Sequence, residues 1–321
     1  MSSGAPKIEA TVAEVVEVNE LIRRFRFVRS DGGSMPPFSG GAHIVVEMDD
    51  HGTRRLNPYS LMSDPSDTSG YEISVRRDDA GRGGSLYMHN HVRPGQKMVI
   101  GCPVNLFPPD LRARKHLLLA GGIGITPMMG MMAEFTHLAV RFELHYSVRS
   151  RALGAYLDRL TGAYGERVHI YVDDQGESIA LKDLLAGQPL GTHLYICGPK
   201  GMIAWVRSTA EAMGWPRAAV HSEEFLAPPV GKVFQVQLAA SGKTVTVAAA
   251  QSMLEAIEAA GVDAPYLCRG GACGQCETNV LKCDGTIHHH DHWLTPEEKA
   301  AGRKIMPCVS RFEGKSLVLD R

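Results

Sequence analysis

The chain has no surplus of either charge. Its 34 Lys and Arg stand against 35 Asp and Glu in 321 residues, for a net charge of −1. Nucleic-acid binders carry a basic footprint, so nucleic acid is not an expected partner. Long apolar runs are missing too, and none approaches the ~20 residues of a membrane helix. Met1 to Ala10 lacks an apolar core, so no export signal is expected and the cytoplasm is the expected location. Cysteines are few and odd in number, seven in all, which does not suit a disulfide framework in such a compartment. Internal repeats and low-complexity tracts are absent. What remains is ordinary globular composition, 44% hydrophobic, with room for two or three domains of roughly 100–200 residues each.

Those domains differ in pattern. Ile8–Val18, Leu21–Val28, His43–Met48, Tyr71–Arg77 and Lys97–Ile100 are short runs rich in Val, Ile and Phe, separated by Gly, Pro, Asp and Ser. They predict an antiparallel barrel or sandwich over residues 1–110. Near residue 112 the pattern changes. His116–Ala120 is a continuous apolar run, as in a strand buried on both faces. Strand-like Arg141–Val148, Val168–Val172 and His193–Cys197 then alternate with helix-like Thr126–Leu138, Ala152–Leu160, Ile179–Ala186 and Lys200–Met213. The alternation predicts a parallel α/β sheet over 111–226. Leu226-Ala227-Pro228-Pro229-Val230-Gly231 reads as a linker, set at 227–232. Beyond it, over 233–321, come strands Val233–Leu238 and Thr244–Ala248, a helix Ser252–Ala260 ended by Gly261, and a last strand Ser316–Leu319.

Five of the seven cysteines fall in the last 54 residues. Cys268, Cys273 and Cys276 are spaced C-x4-C-x2-C, and Cys308 supplies a distant fourth thiol. This is the ligand spacing of a plant-type [2Fe–2S] ferredoxin, in which two irons take four thiolates. A zinc site would more usually show two C-x2-C pairs. Gly270, Gly271 and Gly274 permit tight curvature and leave backbone N–H groups free for sulfur. Cys102 and Cys283 have no assigned role. His288-His289-His290-Asp291-His292 resembles a metal motif, but consecutive side chains do not converge on one ion, so a solvated loop is expected.

Two glycine turns mark a nucleotide crevice. Gly121-Gly122-Ile123-Gly124-Ile125-Thr126-Pro127 follows the buried strand, with Thr126 as an expected helix cap and Pro127 in the first helical position. Cys197-Gly198-Pro199-Lys200-Gly201-Met202 likewise joins a strand to a helix. The first lacks the G-x-G-x-x-G fingerprint. Two such turns at the ends of strands in one sheet nevertheless define a ligand crevice.

In the first domain, Tyr59-Ser60-Leu61 pairs an aromatic with a hydroxyl, which suits the face and edge of a flat ring. Arg82-Gly83-Gly84-Ser85 at a helix start suits a phosphate. Taken singly, Tyr59 equally fits a core tyrosine and Arg82 a solvated turn.

In combination these motifs resemble the phthalate dioxygenase reductase family, a ferredoxin-NADP reductase-like group, over essentially the whole chain. The resemblance implies an antiparallel β-barrel binding FMN, an α/β parallel-sheet domain binding NADH, and a C-terminal β-grasp ferredoxin. It implies Tyr59 and Ser60 at the isoalloxazine, Ser74, Val75 and Arg76 along the ribityl chain, and Arg82, Gly83, Gly84 and Ser85 at the phosphate. Asn57 stands where the family pattern Arg-x-Tyr-Ser has Arg; Arg54 and Arg55 lie just upstream as the alternatives, of which Arg55 is taken as the flavin-side arginine. Gly121, Gly122, Gly124, Thr126, Cys197, Gly198, Pro199 and Met202 are placed on the nicotinamide side, with Phe225 near the flavin. Ser60, Thr126, Cys197 and Phe225 are the expected catalytic group. FMN rather than FAD rests on the resemblance.

A hydride brings two electrons and a [2Fe–2S] cluster takes one, so a flavin between them explains three sites in one chain. No Ser-His-Asp or paired-carboxylate machinery is found. Arg149, Ser150 and Arg151 would suit a 2′-phosphate, and only Asp158 or Glu143 would offer an acid to a ribose; the family favours NADH, which is expected here. The implied acceptor is a Rieske-type terminal oxygenase, with the reductase a monomer. A stand-alone diaphorase or flavin reductase would leave the cluster superfluous, and an iron–sulfur sensor would leave the crevice unexplained. Residues 233–321 carry 9 basic and 10 acidic groups, so partner docking on one large charged face is not expected.

Overall fold

The computed structural model describes residues 6–50, 52–225 and 229–321. Residues 226–228 of the expected linker lie outside this set.

The first sheet is antiparallel and contains β1 (Lys7–Asn19), β2 (Ile22–Arg29), β3 (Ala42–Asp50), β4 (Thr53–Ser60) and β5 (Tyr71–Arg76). Helix α1 (Gly84–His91) follows, then β6 (Lys97–Gly101) and the short β7 (Val104–Asn105). The order is β4-β3-β6-β1-β2-β5, with β7 on β3. The chain leaving β4 joins the two edges, because the Met62 N–H donates to the Glu72 carbonyl in β5 (2.9 Å). Phe25, Phe27, Ile44, Val46, Ile73 and Ile100 alternate inward and fill the interior. Asn57-Pro58-Tyr59-Ser60, which reads as the start of a strand, instead ends β4, because Asn57 and Pro58 interrupt the apolar alternation that would show where it begins.

The second sheet is wholly parallel. It comprises β8 (Lys115–Gly121), α2 (Ile125–His137), β9 (Phe142–Val148), α3 (Leu157–Tyr164), β10 (Val168–Val172), α4 (Leu181–Ala186), β11 (Thr192–Cys197), α5 (Lys200–Ala212) and β12 (Val220–Glu223). Its order is β10-β9-β8-β11-β12. Strand direction of travel reverses between β8 and β11, which creates a crevice at their C-terminal ends. Leu117 to Leu119 are fully buried between the helix layers.

Two expectations here are corrected. Helix α3 begins at Leu157, not Ala152, because Tyr156 takes a left-handed φ of 63° and its hydroxyl binds Ser74 (2.5 Å). Thr126 does not cap α2, and Pro127 is its third residue and not its first. A 3-10 turn over Gly122–Gly124 feeds straight into the helix, so Thr126 lies within the first turn and its hydroxyl donates to the Ile123 carbonyl (3.0 Å).

The third sheet is built from β13 (Phe234–Leu238), β14 (Lys243–Val247), α6 (Met253–Ala259), β15 (Thr278–His288), α7 (Pro296–Ala301), β16 (Lys304–Ile305) and β17 (Arg311–Leu319). The order β14-β13-β17-β15-β16, with β13 and β17 parallel and α6 packed on the sheet, is a β-grasp. Both helices carry capping boxes, Ser252 with Glu255 and Thr295 with Glu298. Two bridges tie this module to the others. Arg82 makes a bidentate pair with Glu255 (2.9 and 3.0 Å), and His292 Nε2 meets Glu224 beyond β12 (3.0 Å).

Candidate functional site

The glycine turns after β8 and β11 lie back to back. A Cβ on Gly124 would sit 2.2 Å from the Cys197 carbonyl oxygen, and one on Gly121 2.7 Å from Met202 sulfur and Pro199 Cδ. A Cβ on Gly198 would lie 3.1 Å from the Gly121 backbone. Only hydrogen fits between the two turns, so their backbones form one continuous floor. Above it, α2 and α5 begin without side-chain caps, the latter at Pro199. Unused N–H groups and the positive ends of both helix dipoles therefore point into the crevice.

Its wall toward the barrel is polar and dry. Ser60, Thr126 and Cys197 are all buried. Register pairs Cys197 with Glu223 across β11 and β12. Ser60 hydrogen-bonds the Glu223 carboxyl, which burial pushes up to about 8, while Glu223 Oε2 is shielded and has no partner. Desolvation, and then the Glu223 charge, raise the Cys197 thiol. Thiol, hydroxyl and carboxyl thus gather at the mouth of the crevice, and an unpartnered buried oxygen there calls for a ligand. Glu223 opens the Glu223-Glu224-Phe225 run that resembles the family's end of the nucleotide domain, and strand pairing is what sets it beside Cys197. Phe225, two residues on, is exposed at 48%.

The barrel side supplies a cradle. Tyr59 lies against the barrel core, its phenol raised by burial and 3.4 Å from Asn57 Nδ2. Gly83 has φ 99° and starts α1 with no side-chain cap, and a Cβ on Gly84 would clash with Asn57 at 2.3 Å. Arg55 reaches this loop. It pairs with Asp50 (2.8 Å) and donates to the Arg82 carbonyl. Ser85 Oγ accepts from the Asp78 N–H (3.0 Å). The Arg82 guanidinium faces Glu255 rather than the loop. Ser74 is buried and engaged with Tyr156, Val75 is core, and Arg76 is exposed. The helix N-terminus, the crowded Gly84 and the nearby Arg55 fit an anionic phosphate.

At the third module, Cys268, Cys276 and Cys308 are buried and Cys273 is half-buried; all are free thiols. Cys276 and Cys308 sulfurs lie 3.2 Å apart, and Cys268 hydrogen-bonds Cys273. That bond, with the backbone N–H groups of Gly270, Ala272 and Cys273, holds the Cys268 thiol low despite desolvation. Left-handed Arg269, Gly271 and Gly274 wrap the loop. Four sulfurs ringed by backbone donors fit a [2Fe–2S] cluster. Cys283 lies apart and is exposed.

The histidine run is largely the solvated loop expected, with His288, His290 and His292 exposed, but it is tied down at Asp291. His288 ends β15, Asp291 is buried and accepts from the Leu294 N–H (2.8 Å), and the His292 N–H donates to the Gly271 carbonyl (3.0 Å). It is a brace behind the cluster loop. Trp293 packs on Gly274, whose Cβ would lie 2.4 Å from the indole.

Comparison with known proteins agrees with this geometry. A family model for the 2Fe-2S iron-sulfur cluster binding domain matches residues 236–313. Residues 104–220 match the dimethylamine monooxygenase subunit DmmA-like N-terminal domain. The solved structure of phthalate dioxygenase reductase, described as modular for electron transfer from pyridine nucleotides to [2Fe-2S], aligns over 98% of both chains with 33% identity and a TM-score of 0.88. The chain belongs to the phthalate dioxygenase reductase family. Its relatives include the heme-dependent oxidative N-demethylase beta subunit of Ectopseudomonas mendocina, 43% identical over 98% of each chain. The carnitine monooxygenase reductase subunit of Acinetobacter baumannii is 42% identical over the full length of both. This family member is an oxidoreductase of the kind that serves oxygenase systems, built as flavin-reductase-like and ferredoxin modules. No helix among its described residues is long and apolar enough to cross a membrane.

Proposed function

We propose that this reductase carries electrons from NADH through FMN and the [2Fe–2S] cluster to a Rieske-type terminal oxygenase. One observation carries the reading: the crevice between β8 and β11 opens onto the barrel at Ser60, Cys197 and Glu223, while the cysteine ring belongs to a module bridged to both. The modules are 1–110, 111–226 and 233–321, joined at 227–232. FMN, when bound, supplies the conversion of a hydride pair into single electrons that the cluster can accept.

The chain's own residues do the rest. Tyr59 and Ser60 cover the ring and bond its edge. Arg55 and the backbone of residues 82–85 hold the phosphate, with residues 74–76 alongside. Gly121, Gly122, Gly124, Gly198, Pro199 and Met202 leave room for the dinucleotide, and Thr126 and Cys197 border the nicotinamide. Glu223 keeps a proton in a dry site, and Phe225 screens the open edge. Glu143 is no ribose partner, since it begins β9 at the opposite end of the sheet. Asp173 and Asp174 follow β10 on the correct side, with the Asp174 N–H on the Arg149 carbonyl (3.0 Å), and favour the ribose hydroxyls of NADH.

Anaerobic titration with NADH tests the scheme. Flavin bleaching followed by cluster reduction supports it, a silent cluster favours a diaphorase, and a strong NADPH preference refutes the nucleotide assignment. Turnover with a purified Rieske oxygenase, and not with a haem oxygenase, tests the partner.

A further inference from the structure

We propose that Glu143, His145 and His169 form a binding site for a divalent transition-metal ion, zinc foremost, at the end of the parallel sheet opposite the cofactor crevice. The site follows from register. Strands β9 and β10 are parallel neighbours, with His145 directly beside His169. Their rings stack at 4.6 Å and 18°, so both imidazole edges face the same way. They face one oxygen. Glu143 Oε1 lies 2.7 Å from His145 Nε2 and 3.5 Å from His169 Nε2. The three donor atoms all fall within 4.8 Å of one another. Zinc bonds of about 2.0–2.2 Å to nitrogen and oxygen place ligand atoms roughly 3.3 Å apart, so little movement converts the cluster into a first coordination shell.

The surroundings support the donor set. Tyr171 OH lies 2.9 Å from His145 Nδ1 and fixes that ring, as outer partners of ligating histidines do. Lys115 holds the other Glu143 oxygen and leaves Oε1 to the histidines. His145 is 5% exposed in its side chain. His169, at 44%, faces solvent. A cavity of about 540 Å³ opens over the group, lined by Lys115, Glu143, Glu166 and His169 among others. It leaves room for water at a fourth position, and its wall carries Arg141 and Arg167 as well as Glu166, so the site rests on its three donor atoms and not on a surplus of negative charge. Two imidazoles and a carboxylate suit zinc and its borderline neighbours better than magnesium or calcium. The group lies in a part of the sheet that neither hydride transfer nor the cluster uses, so the inference stands apart from the proposed electron path.

The test uses the intact protein with flavin and cluster in place, freed of loose metal by dialysis against a chelator and titrated with zinc sulfate in a calorimeter. One zinc per chain is expected, with a zinc-edge absorption spectrum showing nitrogen and oxygen neighbours and no sulfur. His169→Ala removes an exposed ligand without opening the core. It is expected to weaken that site by at least about tenfold, the loss that removing even an outer partner brings. Uptake that is absent in the wild type, unchanged in His169→Ala, or sulfur-coordinated overturns the proposal.

Discussion

Replacing Glu255 should loosen the ferredoxin module without touching the nucleotide crevice. Arg82 and Glu255 are 173 residues apart in sequence, and their side chains are only 10% and 11% exposed. Both Arg82 nitrogens donate to the carboxylate, whose Oε2 also accepts the Ser252 N–H (2.7 Å) at the start of α6. Glu255→Gln keeps an oxygen for that cap and removes the charge. A hydrogen bond to a charged group contributes about 1.5–3 kcal/mol. A loss of about 2 kcal/mol corresponds to a roughly 30-fold shift in the docking equilibrium. Glu255→Ala also loses the cap and leaves Arg82 unpaired, for about 3–5 kcal/mol. Desolvation raises the Glu255 carboxyl, but the Arg82 bond and charge outweigh it and leave it below its ordinary 4.5. The bridge is therefore fully present above pH 4.5 and fades as pH falls through the lowered value. Hydrogen exchange over residues 81–88 and 253–259 reads docking, and stopped-flow absorbance separates flavin reduction from cluster reduction. Glu255→Gln should exchange faster in both segments and slow only cluster reduction. Unchanged exchange, or equal slowing of both steps, refutes the reasoning.

Three other outcomes follow from the same structure. Glu223 has a carboxyl raised to about 8 against an ordinary 4.5, so its contribution to stability is full below pH 4.5 and lost as pH rises through 8; Glu223→Gln should flatten the melting temperature between pH 5 and 9, and identical slopes would contradict its burial. Gly124→Ala forces a methyl to 2.2 Å from the Cys197 carbonyl oxygen and should lower stability by about 1–3 kcal/mol and weaken NADH binding, read by denaturant midpoint and fluorescence titration. Cys308→Ser should abolish the cluster absorption spectrum whereas Cys283→Ser should leave it intact, and loss in both would reassign the fourth ligand.

The features legible in sequence were those that local chemistry imposes. The run Leu117 to Leu119 could only be a strand covered on both faces, and the cysteine spacing announced its loop. The glycine turns were legible because crowded backbones admit no other residue. Strand β15 was not, since residues 281–286 are all exposed and show no alternation. The neighbours of Glu223 and the Arg82 partner were hidden for another reason. Each acquires its role across a pairing or a module boundary, and no window of sequence contains both halves. The histidine run was legible as an exposed loop, but its shape was not, because that depends on Asp291, buried beneath it.

Salt bridges fasten the β-grasp module to two different bodies, through Glu255 to the barrel and through His292 to the end of the nucleotide sheet. Tyr266 and Leu267, just before the first cluster cysteine, also line a pocket with Val45, Leu56 and Val99 of the barrel. The cysteine loop is therefore braced beside the barrel at its own root as well as through the two bridges.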